Sequence, residues 1–272
     1  MSPQAPAPPL ALTMGDPAGI GPEIVLRLFA TDGLDPPLVV LGDPDWLARL
    51  VPSLGLRLRV RTLARVEDAR PERGVVEVVK AADVPRDLAL GAVAAAGGAA
   101  GHACVVRGIE LALAGRIAGL VTAPINKAAL AAAGIPFPGH TELLAHHSGV
   151  AEVAMMLATP ELRVGLVSIH VSLADAVRRI DHRAEVRAIC FAVEGARAFG
   201  IERPRVAVAG HNPHAGVDGL FGREEFVFFA PAVAEARALG FDVTGPLPGD
   251  AVFRQAREGR FDVVVAQYHD LG

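Results

Sequence analysis

Short runs of β-branched and aliphatic residues alternate with longer stretches of helical periodicity along almost the whole chain, and this alternation restricts the fold more than anything else in it. Strand, helix and strand at such spacing build βα units, whose strands run parallel with helices on both faces of the sheet. Ten runs read as strands: 10–14, 38–41, 58–62, 75–79, 119–122, 153–157, 164–169, 205–209, 241–244 and 262–267. Ten strands point to two lobes. The expected organisation is an α/β fold with a first lobe over 1–135, behind a frayed Pro- and Ala-rich tail at 1–8, and a second over 136–272. Glycines at 115, 134, 200 and 240 stand where helical patterns stop, and Pro124 sits near the start of another.

At 272 residues and 51% hydrophobic content the chain easily fills two cores. Lys and Arg total 26 against 30 Asp and Glu, a net charge of -4, which gives no general attraction to nucleic acid or an anionic membrane. The uncharged stretch 88–106 approaches the length of a membrane span. It is mostly Ala and Gly, is interrupted by Gly97-Gly98, and passes into an amphipathic pattern, so no span is expected. The two cysteines, Cys104 and Cys190, lie in apolar helical stretches and read as buried free thiols. The tail has neither basic residues nor an apolar run, so a reducing cytoplasm and small soluble partners are expected.

Three strand patterns run out into histidines: His170, the loop Gly210-His211-Asn212-Pro213-His214-Ala215-Gly216, and Tyr268-His269-Asp270. Ligands of open α/β sheets bind beyond the carboxyl ends of the strands. Three imidazoles there suit a borderline divalent ion such as Zn²⁺, Co²⁺ or Mn²⁺ with a position left open for a substrate oxygen. The alternative is that each histidine only caps a strand or hydrogen-bonds within its loop.

Two further segments present backbone N–H groups. Gly15-Asp16-Pro17-Ala18-Gly19-Ile20-Gly21-Pro22-Glu23 follows the first strand pattern, but its spacing fits neither the dinucleotide fingerprint nor the P-loop, so it signals a tight turn or a close approach. Thr122-Ala123-Pro124-Ile125-Asn126-Lys127 and Gly139-His140-Thr141-Glu142 lead into helices whose starts suit a phosphate. Thr141 is equally an ordinary N-cap, and Lys127 a solvated lysine.

Together, these two glycine- and threonine-bearing segments, Gly139 to Glu142, Asn212 to Gly216 and Tyr268 to Asp270 resemble the 4-hydroxythreonine-4-phosphate dehydrogenase family over nearly the whole chain. The resemblance implies two α/β/α lobes with a cleft between them, as in isocitrate and isopropylmalate dehydrogenases, and a homodimer with its active site at the subunit interface. It implies a divalent metal (Zn, Co, Mg or Mn) held by His170, His214 and His269 contributed from both subunits, and substrate contacts from His140 and Thr141. The implied reaction uses NAD or NADP to oxidise the C3 hydroxyl of 4-phosphooxy-L-threonine, giving a β-keto acid that loses CO₂, in vitamin B6 biosynthesis. Asp250 is a candidate proton acceptor and equally an N-cap. Ser168 to Leu173 and Gly219 to Glu225 also resemble a sister group acting on 4-phospho-D-threonate or D-erythronate. The resemblance places further substrate-binding residues beyond Gly272, so this chain is expected to lack that segment, and a non-catalytic relative stands as the alternative to an enzyme.

Overall fold

The computed structural model describes residues 8–31 and 37–272, so the expected tail lies, apart from Pro8, outside the described residues. Two compact units follow one another, Met1–Glu152 and Val153–Gly272. The expected border near residue 135 falls earlier than this division. The helix at His140–Ser148 belongs with the first unit because its Leu143 is buried against Val105 and Ile109.

In the first unit, β1 (Leu10–Thr13), α1 (Gly21–Phe29), β2 (Leu38–Gly42), α2 (Pro44–Ser53), β3 (Arg59–Leu63), β4 (Val75–Lys80), α3 (Ala95–Leu113), β5 (Gly119–Thr122), α4 (Lys127–Ala132) and α5 (His140–Ser148) follow in turn. The strands form a parallel sheet ordered β3-β4-β2-β1-β5. Val39, Val40, Leu41, Val76 and Val78 are fully buried, as aliphatic strands covered on both faces must be, each contributing about 1.5–3 kcal/mol. Asp43 starts α2 by accepting the N–H groups of Asp45 and Trp46, and its other oxygen accepts Val84 N–H.

The Gly97-Gly98 pair does not interrupt its helix as expected. α3 runs through both, and a Cβ at residue 98 would lie 2.1 Å from the Ala129 carbonyl oxygen, so glycine lets α3 press on α4. Among the described residues no helix is long and apolar enough to cross a membrane.

The second unit comprises β6 (Met156–Ala158), β7 (Arg163–Leu166), α6 (Leu173–Arg179), α7 (His182–Ala198), β8 (Arg205–Ala209), α8 (Ala230–Ala238), β9 (Asp242–Leu247), α9 (Gly249–Arg257) and β10 (Val263–Ala266). Its sheet is ordered β6-β7-β10-β8-β9, parallel except for β6. All ten expected strands are therefore present, as is the α/β class, with helices and strands interleaved. Three strands stop short of expectation, β1 at Thr13, β7 at Leu166 and β10 at Ala266, so the residues beyond them form loops.

Candidate functional site

The order of the second sheet decides which histidines meet. β7 and β10 are hydrogen-bonded neighbours, so the loops beyond their carboxyl ends emerge side by side, tied by Ser168 Oγ donating to the Gln267 carbonyl at 2.9 Å. The rings of His170 and His269 stand 6.1 Å apart between centroids, inclined by 32°. Two imidazoles sharing one ion at the usual bond length of about 2 Å have centroids roughly 5 Å apart, so this pair stands about 1 Å wider than rings that share an ion. Both side chains are exposed beside a cavity of 110 Å³ lined also by Ile169, Tyr268 and Asp270, room for an ion and a few waters. His269 Nδ1 pairs with Asp270 at 2.8 Å, which leaves Nε2 for a ligand.

His214 is not part of this pair. It lines a different cavity with Asp218, Phe226 and Pro246, and among the described residues no three His, Cys, Asp or Glu side chains gather closely enough to hold an ion. Its backbone is unusual. His214, Ala215, Gly216, Val217 and Asp218 all have positive φ, between 41° and 81°, forming a left-handed turn. Such residues cost about 1–2 kcal/mol each unless they are glycine, so the surroundings must hold this turn. His170, with φ of 50°, is left-handed as well.

At the base of the turn stands Glu225, which sequence reasoning named only at the end of the segment Gly219 to Glu225. It begins the π-helical turn Glu225–Phe229 that leads into α8, and it is 2% exposed. One carboxylate oxygen accepts the N–H groups of His211 and Asn212 at 2.9 and 2.7 Å, and the other accepts Asn212 Nδ2 at 2.9 Å. Glu185, also missed, lies fully buried on α7 and accepts Gln267 Nε2 at 3.2 Å, while its other oxygen has no partner. Burial pushes this carboxyl up to about 8, offset in part by the Gln267 hydrogen bond. Glu185 recurs on the buried stripe of α7 with Ala188, Ile189, Ala192, Val193 and Ala196, a glutamate in an apolar helical period that was readable in advance.

In the first unit the strand order turns between β1 and β5, and the two glycine- and threonine-bearing segments meet there. Asp16 N–H donates to the Pro124 carbonyl at 3.0 Å, and Ala123 N–H to Thr13 Oγ1 at 3.2 Å. Gly15 has φ of 74°, and a Cβ there would lie 2.4 Å from the Pro124 oxygen. Asn126, not Pro124, starts the following helix by accepting Ala129 N–H. Lys127 is exposed.

Thr141 does not cap α5 as one reading expected. The N-cap is Gly139, without a side-chain acceptor, so the first N–H groups of the helix are open and Thr141 and His140 are half-buried within the first turn. Desolvation lowers the pKa of His140, favouring a neutral imidazole, and its Nε2 is buried without a partner. Asp250 is likewise not an N-cap. Pro248 holds that position before α9, and Asp250 is exposed in the first turn.

Histidines beyond the carboxyl ends of the parallel strands β7, β8 and β10 stand where α/β folds bind their ligands. Residues 34–272 match the family described as Pyridoxal phosphate biosynthetic protein PdxA, and the chain belongs to that family, whose named relatives are dehydrogenases. It is 53% identical over 264 residues to the 4-hydroxythreonine-4-phosphate dehydrogenase of Beijerinckia indica, covering 97% of this chain and 78% of the relative. It is 44% identical over 266 residues to the D-threonate 4-phosphate dehydrogenase of Salmonella typhimurium, covering 97% and 81%. The crystal structure of 4-hydroxythreonine-4-phosphate dehydrogenase from Klebsiella pneumoniae superposes with a TM-score of 0.93 at 42% identity, covering 97% of this chain and 82% of that one.

Proposed function

We propose that the protein is a metal-dependent, NAD- or NADP-linked dehydrogenase of a phosphorylated hydroxy acid. The leading substrate is 4-phosphooxy-L-threonine, oxidised to 2-amino-3-oxo-4-phosphooxybutyrate, which decarboxylates to 3-amino-2-oxopropyl phosphate on the route to pyridoxal phosphate. The observation that carries this reading is the His170 and His269 pair at adjacent strand ends. In a homodimer with its site at the interface, His214 of a second subunit would be the third donor.

His170, His214 and His269 would hold the ion. A divalent metal there would supply Lewis acidity for oxidation of the hydroxyl and for the loss of CO₂. The nicotinamide would take up the hydride. The open N–H groups of α5 and the Thr141 hydroxyl receive the phosphate, and the partnerless Nε2 of the neutral His140 ring meets a polar group of the substrate. Asp250, exposed at the start of α9, is the candidate to accept the hydroxyl proton. The protein would act in the cytoplasm.

D-threonate 4-phosphate is the second reading, supported by the 44% identical relative of that name. The chemistry is the same and only C2 differs. The test is nicotinamide absorbance on adding each substrate with NAD or NADP, first with Zn²⁺, Co²⁺, Mn²⁺ or Mg²⁺ present and then with chelator. Metal-dependent reduction supports the proposal, and the ratio of kcat/KM values chooses the substrate. No reduction with any combination would overturn it.

A further inference from the structure

We propose that Glu225 is a positioning residue for the His214 loop, holding His214 in the left-handed conformation from which it reaches an ion. This rests on the metal reading above.

Apart from Glu225, the loop following β8 is held by backbone hydrogen bonds, from Gly210 N–H to the Leu247 carbonyl and from Ala215, Leu220 and Phe221 N–H to the carbonyls of Asn212, Val217 and Gly216. His214 is exposed, and so are Pro213, Val217 and Asp218, so packing does not impose a run of five left-handed residues on this segment. Glu225 does impose a geometry. Its three accepted hydrogen bonds come from the two residues at the base of the turn, which aims the chain before Pro213 fixes the next φ. The fit is close on the other side as well, since a Cβ at residue 216 would lie 2.9 Å from the Glu225 carboxylate, so glycine at φ 81° is needed where the turn folds back over it. Asn212 Nδ2 also reaches Glu224 at 2.7 Å, so the side chain of the loop's third residue is gripped by two successive carboxylates.

The π-helical turn gives this arrangement its register. One extra residue in the helix that becomes α8 brings Glu225 beneath the loop, whereas Phe229 four residues on is fully buried. Such insertions weaken a helix locally and are retained where they aim a side chain. The consequence is a carboxylate that touches neither substrate nor ion and acts on both through the backbone of His211 and Asn212.

The test compares wild type, E225A, E225Q and H269A as full-length purified protein, with Co²⁺ as the probe. Hydrogen exchange of the metal-free protein is read first. E225A is expected to lose protection at the His211 and Asn212 amides while β8 and β10 keep theirs. Cobalt affinity, measured by competition with a coloured chelator, is expected to fall about 10- to 100-fold in E225A with an altered visible spectrum, and kcat to fall more than KM rises. E225Q keeps an acceptor for the two backbone N–H groups but not for Asn212 Nδ2, and is expected to recover most of the affinity. Unchanged loop protection, or wild-type cobalt affinity and spectrum in E225A, would overturn the proposal. A wild-type protein that binds cobalt no better than H269A would instead sink the metal reading, and this inference with it.

Discussion

Replacing Glu185 by glutamine should make the second unit more stable at neutral and alkaline pH, and the size of the effect follows from burial. The carboxyl has an ordinary pKa of 4.5 and is pushed up to about 8 in the fold. Below 4.5 both folded and unfolded states hold the proton. Between 4.5 and about 8 the unfolded chain releases it and the folded chain keeps it, so stability falls with rising pH by about 1.4 kcal/mol per pH unit. The accumulated loss is about 5 kcal/mol by pH 8, a large part of the roughly 5–15 kcal/mol that separates a folded domain from its unfolded state. Above about 8 both states are ionised and the loss levels off. E185Q cannot ionise and still accepts from Gln267 through its amide oxygen, so it should escape this loss. The assay is urea unfolding by circular dichroism from about pH 5 to about pH 9, with hydrogen exchange of β8 and β10, corrected for its intrinsic pH dependence, to report on the second unit alone. The two proteins should be similar near pH 5 and diverge steadily to about pH 8. A difference constant to within about 0.5 kcal/mol across that range would refute the reasoning and require a charged partner for Glu185.

Three other outcomes are expected. H269A should bind Co²⁺ at least about 100-fold more weakly than wild type, because it removes one imidazole of the pair, whereas H182A, whose ring pairs with Glu235 at 2.6 Å away from the strand ends, should bind it normally by titration. T141V should raise KM for the phosphorylated substrate about 10- to 100-fold, the worth of one hydrogen bond to a charged group, with a smaller change in kcat measured by steady-state kinetics. G15A should lower the unfolding free energy of the first unit by about 1–3 kcal/mol or more, read from fluorescence of its Trp46 during urea unfolding, since an added Cβ meets the Pro124 oxygen at 2.4 Å in a left-handed residue.

The strands were legible because parallel sheets covered on both faces need continuous aliphatic runs, and 205–209 matches to the residue, as does the less buried edge strand 119–122. Helix ends were legible where glycine supplies a left-handed residue, as at Gly115, Gly134, Gly200 and Gly240. The border between units was not, because it depends on which sheet α5 packs against, a long-range choice that local pattern does not carry. Of the candidate site, the approach of His170 to His269 was implied by histidines at strand ends, yet the strand order that makes them neighbours is a property of topology. Nothing local separated His214 from that pair. The cap readings of Thr141 and Asp250 failed for a common reason: each helix begins earlier than its polar residue, at Gly139 and Pro248, which leaves both side chains in the first turn. Glu225 escaped notice because a carboxylate that serves backbone amides leaves no periodic trace.

The two sheets also differ in when they can be completed as the chain leaves the ribosome. In the first, β5 is an edge strand, so β1 to β4 can already be paired with one another before it emerges. In the second, β10 lies between the pairs β6-β7 and β8-β9, and these two pairs cannot be joined into one sheet until residues 263–266 have been synthesised. At about 5–20 residues per second, β7 waits several seconds or more with one aliphatic edge unpaired and only β6 beside it. The same late insertion sets His269 beside His170, so the histidine pair comes into being with the closure of the sheet and not before.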